Sequence, residues 1–143
     1  MNFLIYLRKW LGLDVFENFL WINAPTMSNL ATDTYIEGTQ IIIGENSCDL
    51  ILRPNANVEI AGIFKGKIIG LGNNVVRIRG ALDGILSCDK MILFQGGGLK
   101  GNAYISKLVV QQGAVMDSEV SFMELVPFIH AVERIDFDFI KKL

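Results

Sequence analysis

Five short segments, "GENSC" (44–48), "GIFKG" (62–66), "GALDG" (80–84), "GGLKG" (97–101) and "AVMDS" (114–118), start at successive steps of 18, 18, 17 and 17 residues. Each begins and ends with Gly, Ala, Ser or Cys. The centre is apolar in four of the five (Phe64, Leu82, Leu99, Met116), with Asn46 the exception. Helix-pair repeats need about 33 residues or more, so this step is too short for them. Apolar residues flank each small pair at alternate positions: Ile42, Ile60 and Ile78 upstream, and Leu50, Ile68, Leu86, Ala103 and Val120 downstream. Val58, Val76, Leu93 and Val110 come two residues earlier in their units, so that Gln95 and Gln112 fall in the column of the upstream isoleucines. Alternation of this kind marks strands. Small residues four apart also suit packed helices, but helix packing predicts apolar residues three and four apart, which these units lack. The repeat therefore predicts an all-β, single-domain parallel β-solenoid over residues 39–124, one coil per 17–18 residues, with small residues where the chain turns or packs tightly.

A second column tests the register. The fourth residue of each unit reads Ser47, Lys65, Asp83, Lys100, Asp117. Stacked coils put equivalent residues about 4.8 Å apart along a ladder, where opposite charges attract and like charges repel. The sign alternates through four consecutive coils. Glu59 and Arg77 give another opposite pair in adjacent coils. Cys48 and Cys88 fall in different columns two coils apart, roughly 9–10 Å along the axis, whereas a disulfide needs Cα atoms within about 7 Å. Both read as small buried residues.

The 143 residues suit one domain, and 51% hydrophobic against 20% charged residues excludes a disordered chain. A net charge of −2 without a basic run argues against a nucleic-acid partner. Residues 1–23 lack the repeat. The run "FLIYL" (3–7) is too short to cross a bilayer, and Arg8 and Lys9 follow it without a cleavage site, so neither a span nor a secretory signal is expected. Phe3, Leu4, Leu7, Trp10 and Leu11 are candidate membrane contacts, with Phe3, Leu7, Trp10 and Leu11 able to share one helical face. Two readings stand for this segment: an interfacial helix on an anionic membrane, or a strap over the first coil. Residues 24–38 are polar and small and read as a linker. At the other end, Ile135, Phe137 and Phe139 alternate with aspartates, which suggests a strand within a cap or extra coil over 125–143.

Catalytic chemistry is sparse. His130, the single histidine, lies outside the repeats beside Phe128 and Ile129. No residues within the coils have metal-ligand spacing, and "QGGGLKG" (95–101) follows the solenoid register rather than a phosphate loop. No enzyme activity and no cofactor are expected.

The segments "VEIAGIFKGKI" (58–68), "VRIRGALDGIL" (76–86), "MILFQGGGLKGNA" (91–103) and "LVVQQGAVMDSEVSFME" (108–124) together resemble the bactofilins, a bacterial polymer-forming cytoskeletal family. The resemblance covers residues 39–124 and implies a right-handed, three-sided β-helix. It further implies head-to-tail filaments formed without nucleotide, association with the inner face of the cell membrane, cytoplasmic location, and a role in placing cell-wall enzymes. The partners so implied are further copies of the chain or another bactofilin. By position, the polymer contacts would be Ile41, Ile42 and Ile43 in the first coil, with Val120, Phe122 and Phe137 at the last. The sequence departs from the family in its hydrophobic, aromatic ends, and in Cys48 and Ser118 standing where glycines are expected.

Overall fold

The computed structural model describes residue 21 and residues 24–122. Every regular element in 24–122 is a strand: β1 (Thr26–Ser28), β2 (Thr34–Ile36), β3 (Thr39–Ile43), β4 (Glu45–Ser47), β5 (Leu50–Leu52) and β6 (Asn57–Ile60). The series continues with β7 (Ile63–Gly70), β8 (Val75–Ile78), β9 (Ala81–Leu93), β10 (Gly98–Val110) and β11 (Val115–Phe122). All pairings are parallel, and together they make a right-handed β-solenoid of about 6 turns.

Three ladders form the three sides. Side A stacks β1, β3, β6, β8 and the C-terminal portions of β9 and β10. Side B stacks β4 and the N-terminal portions of β7, β9, β10 and β11. Side C stacks β2, β5 and the following portions of β7, β9, β10 and β11. Alternate side chains point inward. The core is therefore a set of columns, such as Ile42, Ile60, Ile78 and Leu93 on side A and Phe64, Leu82 and Leu99 on side B, all buried.

The small pairs sit at the two ends of the side B strand segment, where successive coils approach most closely. A Cβ on Gly84 would overlap the Gly66 carbonyl oxygen of the coil beneath, and Gly84 also holds φ +150°. Only glycine combines that φ with that approach. The opening of "GALDG" obeys the same restriction, since a Cβ on Gly80 would overlap the Gly62 carbonyl oxygen.

Two expectations are corrected. Residues 24–38 are not a linker: β1 pairs with β3 (Thr26 opposite Ile41) and β2 with β5 (Thr34 opposite Leu50), so the solenoid starts at Thr26. This first coil steps by only 15–16 residues and lacks the small pair, which hid it from the period search. Gln95 and Gln112 do not occupy the isoleucine column either. Leu93 pairs with Ile78 and Val110 with Leu93, because the corner after Leu93 is two residues longer than the one after Ile78. A longer turn through Leu71–Asn74 compensates, and Asn74 fills it. Its Nδ2 donates to the carbonyls of Arg53 (2.9 Å) and Ala56 (2.7 Å), and its Oδ1 accepts from Gly72 N–H (2.8 Å).

Candidate assembly surfaces

The C-terminal end of the described solenoid is an open stack. Among the described residues, β11 pairs only with β10. Phe122 stands in the inward column above Ile105 yet is 64% exposed, and Val110, inward above Leu93, is 44% exposed. Met116 and Val120, also in inward columns, are half-buried. These are core positions without a next coil among the described residues. Val120 and Phe122 thus lie in the last described strand, whereas Phe137 and the membrane candidates Phe3, Leu4, Leu7, Trp10 and Leu11 lie outside the described residues.

At the other end, Ile41, Ile42 and Ile43 are not the terminal ladder, because β1 covers them. Ile42 is fully buried, and Ile43 reaches solvent only on its outward face. The first-coil edge is instead β1 and β2, joined through Leu30. Leu30 occupies the place below Asn46: its N–H donates to Asn46 Oδ1 (2.8 Å), and its carbonyl accepts from Ser47 N–H (2.9 Å). Asn46 Nδ2 reaches the carbonyls of Ile43 (3.1 Å), Gly44 (3.3 Å) and Ile63 (3.4 Å). The one polar residue in an apolar column is therefore a buried plug that fastens the irregular first coil to the regular ones. Just past the side C strands β2 and β5, Arg53 Nε pairs with Glu37 Oε1 at 3.0 Å, and its guanidinium lies 5.3 Å from the Tyr35 ring.

The outward face of side A carries a charged and aromatic cluster. Glu59 and Arg77 are opposite each other, as the sequence register implies, with Arg77 Nε 3.1 Å from Glu59 Oε1. Arg79 Nε donates to the same oxygen at 2.9 Å. Both Glu59 and Arg77 are nearly buried although they point away from the core. Aromatic rings supply the cover: the Arg77 guanidinium lies 4.6 Å from the Trp21 ring centre and 4.8 Å from that of Phe94, while Arg79 lies 3.9 Å from Phe94. Cation–π contact suits a desolvated guanidinium. Sequence reasoning found the ion pair but missed Arg79, Phe94 and Trp21. Arg79 follows Arg77 by two residues, the spacing of neighbours on one strand face, and was the available signal.

On side B, Lys65 is opposite Asp83, Asp83 opposite Lys100, and Lys100 opposite Asp117, all solvent-exposed. This ladder faces water. Both cysteines are free thiols. Burial pushes Cys48 up to about 11, with Asp49 and then Asp33 adding to the shift. Burial pushes Cys88 higher still, Asp89 adding, and its Sγ donates to the Lys90 carbonyl at 3.3 Å. Neither is a thiolate near neutrality. Among the described residues, no three His, Cys, Asp or Glu side chains converge on a point that could hold a metal ion, and no helix is long and apolar enough to cross a membrane.

The fold defines a class, the parallel β-solenoids. No family model matches the chain, and no curated protein or solved structure matches it either.

Proposed function

We propose that this chain is a bactofilin-like structural scaffold that extends head to tail, coil upon coil, without nucleotide. The observation that carries this reading is the C-terminal open end, where Val110 and Phe122 occupy core columns yet stand exposed. An unpaired parallel edge over exposed core is a template for another chain, and a solenoid can continue across a molecular boundary with the geometry it uses internally. The complementary surface is the first-coil edge of β1 and β2. The N-terminal segment, with Phe3, Leu4, Leu7, Trp10 and Leu11, then serves to hold the filament against the inner face of a cell membrane, where it organises cell-wall machinery.

Negative-stain microscopy of the full chain without nucleotide tests the first step. Filaments are expected, and Phe122→Asp should reduce them to discrete particles while leaving the β-sheet circular dichroism intact. Discrete particles from the unaltered chain, independent of concentration, would instead support a non-polymerising adaptor that binds a membrane protein through its hydrophobic termini.

A further inference from the structure

The three sides of the solenoid differ in the charge they turn outward. On side A the outward columns run Asn57–Val75–Lys90–Lys107 and Glu59–Arg77–Ile92–Val109. A third column is Arg79–Phe94–Gln111, whose N–H groups donate in turn to the carbonyls of Ile60, Ile78 and Leu93. In the coils of β8, β9 and β10 these nine outward positions hold four cations, with Ile92, Phe94 and Val109 between them, and no carboxylate. Glu59 lies one coil below, and Asp89, at the preceding corner, accepts the Asn74 N–H at 2.8 Å. The other sides are different. On side B, Lys65 and Lys100 alternate with Asp83 and Asp117. Side C turns out Tyr35, Ile51, Ile69, Ser87 and Tyr104, none of them charged. A chain of net charge −2 thus gathers an excess of cations on one face.

That face reaches solvent in its C-terminal coils, where Lys107 is exposed, Val109 is 44% exposed and the Arg79 side chain is 48% exposed. The chain also enters there. Trp21 lies against Arg77, three ladder steps or about 14 Å from the level of β1. What precedes Trp21 is therefore joined to the solenoid on side A and not at its first-coil edge.

We infer that side A is the face this chain lays against an anionic lipid surface. In the reading above, on which this assignment rests, the N-terminal segment holds the chain at a membrane; side A then adds a second contact, to headgroup phosphates. Cations interleaved with apolar side chains suit a headgroup layer, where the charge meets phosphate and the apolar groups meet the acyl boundary. Copies stacked coil upon coil repeat this face along the filament, so modest contacts per copy add, and both ends stay free for the next copy.

Flotation of the full-length chain with phosphatidylcholine vesicles, with and without phosphatidylglycerol, separates lipid-bound protein from filaments that pellet unaided. Binding should require the anionic lipid and weaken with added salt. Lys107→Gln should reduce partitioning about fivefold, and Val109→Asp by at least as much, with the β-sheet circular dichroism of both unchanged. Lys65→Gln, the same change on side B, should leave partitioning unaltered. Equal losses from Lys65→Gln and Lys107→Gln would overturn the proposal, because net charge rather than a face would then govern binding. So would binding that Leu7→Asp abolishes while the side A variants leave it intact, a result that keeps the membrane reading and removes side A from it. Binding of a single-stranded oligonucleotide with the same dependence on Lys107, without flotation on lipid, would assign side A to nucleic acid instead. No flotation of the unaltered chain on either lipid would overturn the membrane reading together with this one, and filament formation is scored separately by microscopy.

Discussion

Gly84 is the residue at which the solenoid tolerates least. Its α-carbon passes so close to the Gly66 carbonyl that a methyl group cannot enter, and its φ of +150° disfavours any side chain. Overpacking and backbone strain should act together, so Gly84→Ala is expected to cost about 3 kcal/mol or more in a urea melt. Asn46→Ala should cost less, about 1–3 kcal/mol, since it leaves the Leu30 N–H and neighbouring carbonyls unpaired in a partly buried site. A reversed order would place the tight contact elsewhere. The cysteines give a pH-dependent readout. Both folded thiols hold their protons more tightly than an unfolded thiol at 9.0. For Cys48 this contribution to stability is complete below pH 9 and is lost as pH rises through about 11, and for Cys88 the loss extends to still higher pH. Alkylation of native protein should label Cys48 slowly at pH 8 and accelerate towards pH 11, while Cys88 stays unlabelled until the chain unfolds. Rapid labelling of Cys48 at pH 7 would contradict the upward shift of its thiol.

At the scale of elements, each ladder step is a pairwise contact, and among the described residues the Glu59–Arg77 step is the one with a buried charge. Glu59→Ala leaves Arg77 almost enclosed beneath Trp21 and Phe94 without its carboxylate, at an expected cost of about 3 kcal/mol or more. Combining it with Arg77→Leu should recover much of the loss, because the uncompensated charge goes with it. Failure to recover, measured by chemical denaturation of the single and double variants, would assign the cost to Arg79 or to packing. This pair was legible in the sequence because opposite charges one coil apart announce a ladder. So were the side B column and the small-residue corners, where steric exclusion leaves only Gly, Ala, Ser or Cys. The first coil was not legible. Its contacts come from short strands, β1 and β2, and from an asparagine that reads as an exception until Leu30 is seen beneath it. The shift of Gln95 and Gln112 out of the core was hidden for a related reason: one corner lengthens while another turn shortens, so the overall step stays near 17–18 while the register within it moves. The Trp21 ring against Arg77 comes from outside the repeat, and periodicity along the coils does not show what lies across them.

At the scale of the molecule, the described residues form a one-dimensional stack, in which stability is close to a sum of coil and neighbour contributions. Removal of one complete coil should therefore shorten the protein without destroying it. Residues 90–106 are such a unit: Lys90 pairs with Val75 and Lys107 with Lys90, while Gly98 pairs with Ala81 and Val115 with Gly98. Joining Asp89 to Lys107 sets Lys107 on Val75 and Val115 on Ala81 with the register intact, and both end surfaces are retained. The deletion removes Phe94 from the arginine cluster and brings Asp117 beside Asp83 on side B. A lower melting temperature is therefore expected, and Asp117→Lys should recover part of it, more at low salt than at high. If assembly runs end to end, the shortened chain should still form filaments, with an axial subunit repeat reduced by one ladder spacing, about 4.8 Å. A reduced repeat would tie filament geometry to coil count. An unchanged repeat in folded protein would mean that copies associate through their sides, and the exposed core at Val110 and Phe122 would then serve some other contact.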